Sequence, residues 1–160
     1  MTQTTEKVVI FRLADDHFAA DVSAVERVLK HQPPRAVPNV PAWILGVIDY
    51  QQRVVPVVDL RRRFELPDAA ASDHARILIL GSGGEWIGVV VDAVTEVAAI
   101  GAADLQPPPK YFRGLAGEYL RGLVRRDDRI IIVLDPERLL SATERIVLER
   151  VVAESSGADR

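Results

Sequence analysis

The chain contains no cysteine, one methionine and few aromatic residues, 6% of its 160 positions. Without cysteine there are no disulfides, no thiol nucleophile and no thiolate-bound zinc. The histidines, His17, His31 and His74, have no metal-ligand spacing. Scarce aromatics leave no platform for stacking bases. There is no excess of positive charge: 20 Lys and Arg face 23 Asp and Glu, a net charge of −3. That balance argues against a main task of gripping phosphate backbones. The longest apolar stretches, such as Ile130–Leu134, fall far short of the ~20 residues that span a bilayer. No membrane insertion is expected. The segment Met1–Lys7 has no apolar run and is not a secretory signal, so a cytoplasmic location is expected.

What remains is a well-patterned β chain. Hydrophobic residues make up 48% and charged residues 27%, enough apolar surface for one domain or two small lobes sharing a core. The runs Val8–Phe11, Val54–Val58, Ile77–Leu80, Trp86–Val91 and Ile130–Leu134 are short and β-branched. Turn signals bound them: Asp15-Asp16, Gly81-Ser-Gly-Gly84 and Asp127-Asp128. They read as strands joined by hairpins. Pro56 inside one run predicts an edge strand or a bulge, because proline donates no ladder hydrogen bond. Ser23-Ala-Val-Glu26 and Ser141-Ala-Thr-Glu144 have capping-box spacing and predict helices. The second opens a C-terminal helix over residues 141–153, with residues 154–160 expected as a disordered tail. Pro33-Pro34, Pro38, Pro41 and Pro107–Pro109 mark extended connectors.

An internal repeat organises these elements. Residues 46–64 align without a gap to residues 122–140, pairing Gly46 with Gly122, Arg53 with Arg129, Val57 with Val133, Asp59 with Asp135 and Arg62 with Arg138. A second alignment pairs Ala24–Val28 with Ala93–Val97, and both segments are expected as short helical turns. Two similar β lobes follow. Small sheets avoid exposed edges by curling into barrels.

Candidate chemistry is sparse. Asp59 and Asp135 each end an apolar strand and could in principle hold magnesium, but Asp135-Pro-Glu-Arg reads as an N-cap followed by proline. No Gly-x-x-x-x-Gly-Lys loop accompanies them. Gly81–Gly84 precedes another strand rather than a helix, so it reads as a hairpin turn. His17 falls in a predicted turn, with no nucleophile or triad pattern around it. Arg61–Arg63 and Arg125-Arg126 lie among acids and read as a solvated rim or a protein-contact patch. Val40-Pro-Ala-Trp43 and Tyr111-Phe112 read either as contact anchors or as loop packing. No catalytic residue, metal or cofactor is expected, and the pattern favours a binding module.

The order of motifs resembles the CheW-like family of bacterial chemotaxis coupling proteins. The resemblance runs from about Val8 to Leu148. It is carried by Phe11–Val28, Val37–Val47, Val54–Leu60, Gly88–Val97, Pro107–Pro109, Tyr119–Leu123 and Leu134–Leu140 in family order. It implies a mainly β fold of two SH3-like five-stranded β-barrel lobes sharing a core, with short helices and a C-terminal helix. Residues 1–153 would form a single CheW-like domain, its lobes at about 8–75 interleaved with 76–140. It implies a scaffold without catalysis that bridges the cytoplasmic tip of methyl-accepting chemoreceptors and the regulatory domain of a CheA-type histidine kinase, at arrays on the inner face of the membrane. A partner outside such arrays, a nucleic-acid-binding double barrel and an enzyme built on Asp59 and Asp135 are the competing readings. The expected partner-binding residues are Val25, Arg27, Gly46, Gln51, Arg53 and Val57, with Gly46 serving backbone geometry. One departure stands out. Where the family usually reads Asn-Leu-Arg-Gly, this chain has Asp49-Tyr-Gln-Gln52, and Arg27 stands where an acidic residue is common. That implies a non-standard receptor or kinase set, as in an accessory pathway.

Overall fold

The computed structural model describes residues 5–67, 72–82, 84–108, 111–112, 115–116, 120–139 and 142–157. The first half of the chain forms β1 (Thr5–Leu13), β2 (Asp16–Asp21), β3 (Val25–Lys30), β4 (Ile44–Tyr50), β5 (Arg53–Asp59) and the short α1 (Leu60–Arg63). The second half repeats the plan with β6 (Arg76–Ser82), β7 (Glu85–Val91), β8 (Ala93–Gly101), a small β9 (Tyr111–Phe112) and β10 (Leu115–Ala116) pair, β11 (Leu120–Arg126) and β12 (Arg129–Leu134). α2 (Ala142–Gly157) closes the fold. Among the described residues no helix is long and apolar enough to cross a membrane.

The two halves exchange strands. One sheet has the order β11-β12-β2-β1-β8, the other β3-β6-β7-β5-β4. Each therefore joins one half's opening hairpin to three strands of the other half. The internal repeat is written into the register. In one sheet Arg27, Ile79, Gly88, Val57 and Gly46 form a single row across all five strands. In the other, Glu96, Ile10, Ala19, Val133 and Gly122 form the equivalent row. Both β3 and β8 bulge at the same place, between Val25 and Arg27 and opposite Ile10/Phe11. The sheets are curled in the SH3-like manner but do not close. Their end strands, β11 and β8 or β3 and β4, are not hydrogen-bonded to each other.

Three apolar clusters follow from the alternation of side chains. Val8, Ile10, Ala19, Ile131 and Val133 fill the concave side of one sheet, and Ile48, Val55, Val57, Ile77 and Ile79 fill the other. The larger shared core lies between the lobes, where Phe11, Phe18, Leu78, Leu80, Leu134 and Leu148 meet. Phe18 stacks between Phe11 and Phe64, with centroids 6.0 and 5.9 Å away. A mostly buried ion pair, Arg61 with Asp92, joins α1 to the β7–β8 junction. Asp92 also accepts a hydrogen bond from the Ala14 N–H at 2.6 Å.

Several expectations change. Ser23–Glu26 is not a helix. Asp21 caps a single 3-10 turn over Val22–Ala24 through the Ser23 N–H, and β3 starts at Val25. The β-branched Val25 and Val28 sit better on a pleated edge than on a helix, and the repeat-related Ala93–Val97 is likewise strand. Pro56 lies neither on an edge strand nor in a bulge, since β5 runs between β7 and β4. Its partner Val47 turns its N–H and C=O toward Arg35 instead. Pro56 therefore occupies a non-hydrogen-bonded site facing β4, and the parallel ladder to β7 starts one residue later, at Val57. His17 is on β2, not in a turn. Arg61 is no rim residue, because it holds Asp92. Val40 and Trp43 pack on the shared core. α2 continues past Ala153 to Gly157. Pro109, Tyr119, Leu140, Ser141 and residues 158–160 lie outside the described residues, as do the side chains of Tyr111 and Phe112.

Candidate functional site

The six expected contact residues divide into a buried group and an exposed group. Val57 is 0% exposed and belongs to the concave core of its sheet. In this fold it is a packing residue, not a contact. Gly46 is also buried, at a bulge in β4 with φ of +145°. A Cβ there would lie 2.0 Å from the Arg35 carbonyl oxygen. The glycine thus lets the 35–36 connector lie against β4, bonded through Arg35 N–H to Val47 O at 2.8 Å and back at 2.9 Å. Gly122 does the same in the other lobe, where Gln106 and Leu123 exchange bonds of 2.8 and 2.9 Å. These connectors cover one edge of each sheet.

Val25, Arg27, Gln51 and Arg53 are the members with surface to offer. Val25 is half-buried and packs against the shared core, while Arg27 is exposed on the open edge strand β3. Gln51 and Gln52 form the β4–β5 turn with φ of 48° and 64°. Both residues being left-handed matches a type I′ hairpin, which usually takes Asn-Gly. Arg53 follows at the start of β5. Its guanidinium lies 3.9 Å from the Trp86 ring centroid and donates to Gly84 O at 3.1 Å. Tyr50 approaches the same ring, 5.3 Å between centroids. Gln51 and Arg53 thus share a hairpin tip, while Arg27 joins Gly46 and Val57 only through the transverse row.

Sequence reasoning read Trp86 only as a strand residue. Its neighbourhood with Arg53 depends on β5 and β7 pairing in parallel, which no local pattern announces. It also missed Val28 and Val97. They are equivalent in the repeat and lie on the two open edge strands with 41% and 60% of their surface exposed. An exposed valine on an uncovered edge is a ready contact for another protein. Beside Trp86, a groove of about 240 Å³ runs between β5, β7 and α2, lined by Arg53, Pro56, Trp86, Ile87, Leu148 and Val152.

The strand-end aspartates are committed to structure. The Asp59 carboxylate accepts from the Arg62 N–H at 3.3 Å and pairs with its guanidinium at 3.6 Å. Asp135 accepts from Glu137 N–H at 3.0 Å and pairs with Arg138 at 3.3 Å. Among the described residues no group of three or more His, Cys, Asp or Glu is placed to hold a metal ion.

Comparison with known proteins agrees with this architecture. The family model described as CheW-like domain matches residues 7–144. The chain is 30% identical over 142 residues to "Chemotaxis protein CheW" of Treponema pallidum, covering 86% of this chain and 84% of that protein. It is 29% identical over 142 residues to "Protein FrzA" of Myxococcus xanthus, covering 88% of each. The crystal structure of the scaffolding protein TtCheW from Thermoanaerobacter tengcongensis superposes with a TM-score of 0.82 at 29% identity, covering 89% of this chain and 92% of that one. The chain, with its two strand-exchanged β lobes, belongs to the CheW-like domain family.

Proposed function

We propose that this protein is a non-catalytic adaptor coupling methyl-accepting chemoreceptors to a CheA-type histidine kinase, acting in the cytoplasm at receptor arrays on the inner face of the membrane. The observation that carries the reading is the CheW-like match across residues 7–144, which takes in both lobes. The fold supports it from the physical side. Two lobes of one design present two related edges, β3 with Val28 and β8 with Val97, suited to bridging partners rather than enclosing a substrate. The kinase contact is assigned to the regulatory domain, and the receptor contact to the helical tip, laid into the groove between the lobes as a helix-in-groove interaction. Arg53, beside the groove between β5, β7 and α2, and Arg27 and Gln51 are the contact residues of this reading.

Gln51 and Arg27 favour a partner set that differs from the usual one. Gln51 can hydrogen-bond but lacks a guanidinium fork, and Arg27 brings a cation to an exposed edge. A partner with an acidic residue facing Arg27 fits this surface. The test is co-sedimentation: vesicles or nanodiscs carrying the organism's receptors should retain its kinase only when this protein is added. The expected variant result is a change of receptor preference with Gln51→Arg and Arg27→Glu. Kinase retention that is independent of this protein for every receptor would overturn the reading.

A further inference from the structure

The internal repeat duplicates a barrel mouth, and the two copies are furnished differently. Val57 pairs with Gly88 in one sheet, and its repeat mate Val133 pairs with Ala19 in the other. By that register Trp86 and His17 are equivalent, as are Arg53 and Arg129, and Tyr50 and Arg126. In one mouth Arg53 stacks on the indole of Trp86 and Tyr50 lies against it, beside the groove of about 240 Å³. In the other, the smaller imidazole of His17 leaves a pocket of about 150 Å³. Its lining includes His17, Thr95, Glu96, Arg126, Arg129 and Ile131.

Each guanidinium group of this pocket already has a contact, Arg129 with His17 and Arg126 with Glu96. Arg129 Nη1 lies 3.2 Å from His17 Nε2. A guanidinium can only donate, so this contact is a hydrogen bond when Nε2 of a neutral imidazole accepts it. Arg129 has no carboxylate partner at ion-pair distance among the described residues. Arg126 Nε is buried and 3.3 Å from Glu96 Oε1, yet makes no hydrogen bond among the described residues. Two guanidinium groups and an imidazole thus line one cavity together with two carboxylates, Glu96, which pairs with Arg126, and Asp127. We propose that the His17–Arg126–Arg129 mouth is a binding site for a small oxyanion, a carboxylate or phosphate group. The anion would bridge the two guanidinium groups by charge-assisted hydrogen bonds, with Glu96 as an internal competitor for Arg126. The site is independent of the adaptor reading.

His17 supplies the signature. Burial and the positive charges of Arg129 and Arg12 hold its pKa below the usual histidine value, against an opposing pull from Asp16. Glu96, Arg126 and Asp127 complete the charged groups around the pocket. An anion seated there favours imidazolium, so it raises the His17 pKa, and by linkage it binds more tightly as pH falls.

The test is an NMR titration of the full chain with inorganic phosphate and, separately, with acetate, at matched chloride ionic strength. Saturable shifts are expected at His17, Thr95, Glu96 and Arg129, with an upward move of the His17 pKa. Arg129→Ala, on an exposed position, should weaken binding about ten-fold, and Glu96→Gln should tighten it. His17→Trp, which puts the other lobe's larger ring into this pocket, should abolish binding while the remaining amide spectrum keeps its dispersion. Saturation by phosphate alone assigns a tetrahedral oxyanion, and by acetate a carboxylate. Shifts that grow linearly with both anions, or are unchanged in Arg129→Ala, would overturn the proposal.

Discussion

Replacing Gly46 by alanine tests how the connectors are held against the sheets. The new Cβ would lie 2.0 Å from Arg35 O and 2.7 Å from its carbonyl carbon. Both are backbone atoms, so no side chain can swing aside. The connector must lift, breaking the Arg35–Val47 bonds of 2.8 and 2.9 Å. Two lost hydrogen bonds cost about 1–3 kcal/mol together. Holding alanine at φ of +145° adds roughly 1–3 kcal/mol of strain. The total is about 2–6 kcal/mol, a large part of a typical ~5–15 kcal/mol stability. Gly122→Ala is the built-in control. Its Cβ would meet Gln106 O at 2.4 Å, but the nearby Leu105 atoms belong to a movable side chain. Gly122 is also not among the positive-φ glycines. It should lose about 1–3 kcal/mol, the hydrogen-bond share alone. Urea unfolding of both variants, with unchanged slope, measures the difference. A Gly46→Ala variant as stable as Gly122→Ala, or more stable, would refute the backbone argument.

Phe18→Ala removes the middle ring of the Phe11–Phe18–Phe64 stack and should cost about 3–5 kcal/mol by denaturant midpoint. Arg61→Ala leaves the Asp92 carboxylate largely buried without its cation; a loss of about 3–5 kcal/mol is expected, with strong coupling to Asp92→Ala in a double-mutant cycle. Gln51→Asn combined with Gln52→Gly puts preferred residues into the left-handed turn and should raise the melting temperature, by about 1 kcal/mol of stability. The folded-state pKa of His17 is depressed, so the unfolded chain binds its proton more readily. The stability it contributes is present above about pH 6.5 and is lost as pH falls toward the folded-state pKa. His17→Gln should flatten that part of the stability–pH curve.

The strands were legible because each carries its own β-branched run between turn residues, and the repeat made the two-lobe plan readable. The strand exchange was not. Nothing within Ile77–Leu80 or Ala93–Val97 says which half's sheet each joins, since that choice is made by long-range burial. The capping-box reading of Ser23–Glu26 failed for a related reason. Its cap signal was real but belonged to Asp21 and one turn, and pairing of β3 with β6 overrode the local helix preference. Val57 shows the limit at the site. Its place in a family-like Val-Pro-Val strand suggested contact, while its full burial makes it core. Trp86 and His17 gained meaning only when the parallel pairings set them in equivalent mouths.

The adaptor role is tested most directly by calorimetric titration of this protein against the regulatory domain of its own organism's CheA-type kinase. Saturable one-to-one binding, weakened by charge-bearing substitutions at Val28 or Val97 on the open edges, is the expected result. No heat of binding at concentrations where a standard coupling protein saturates the same domain would contradict it.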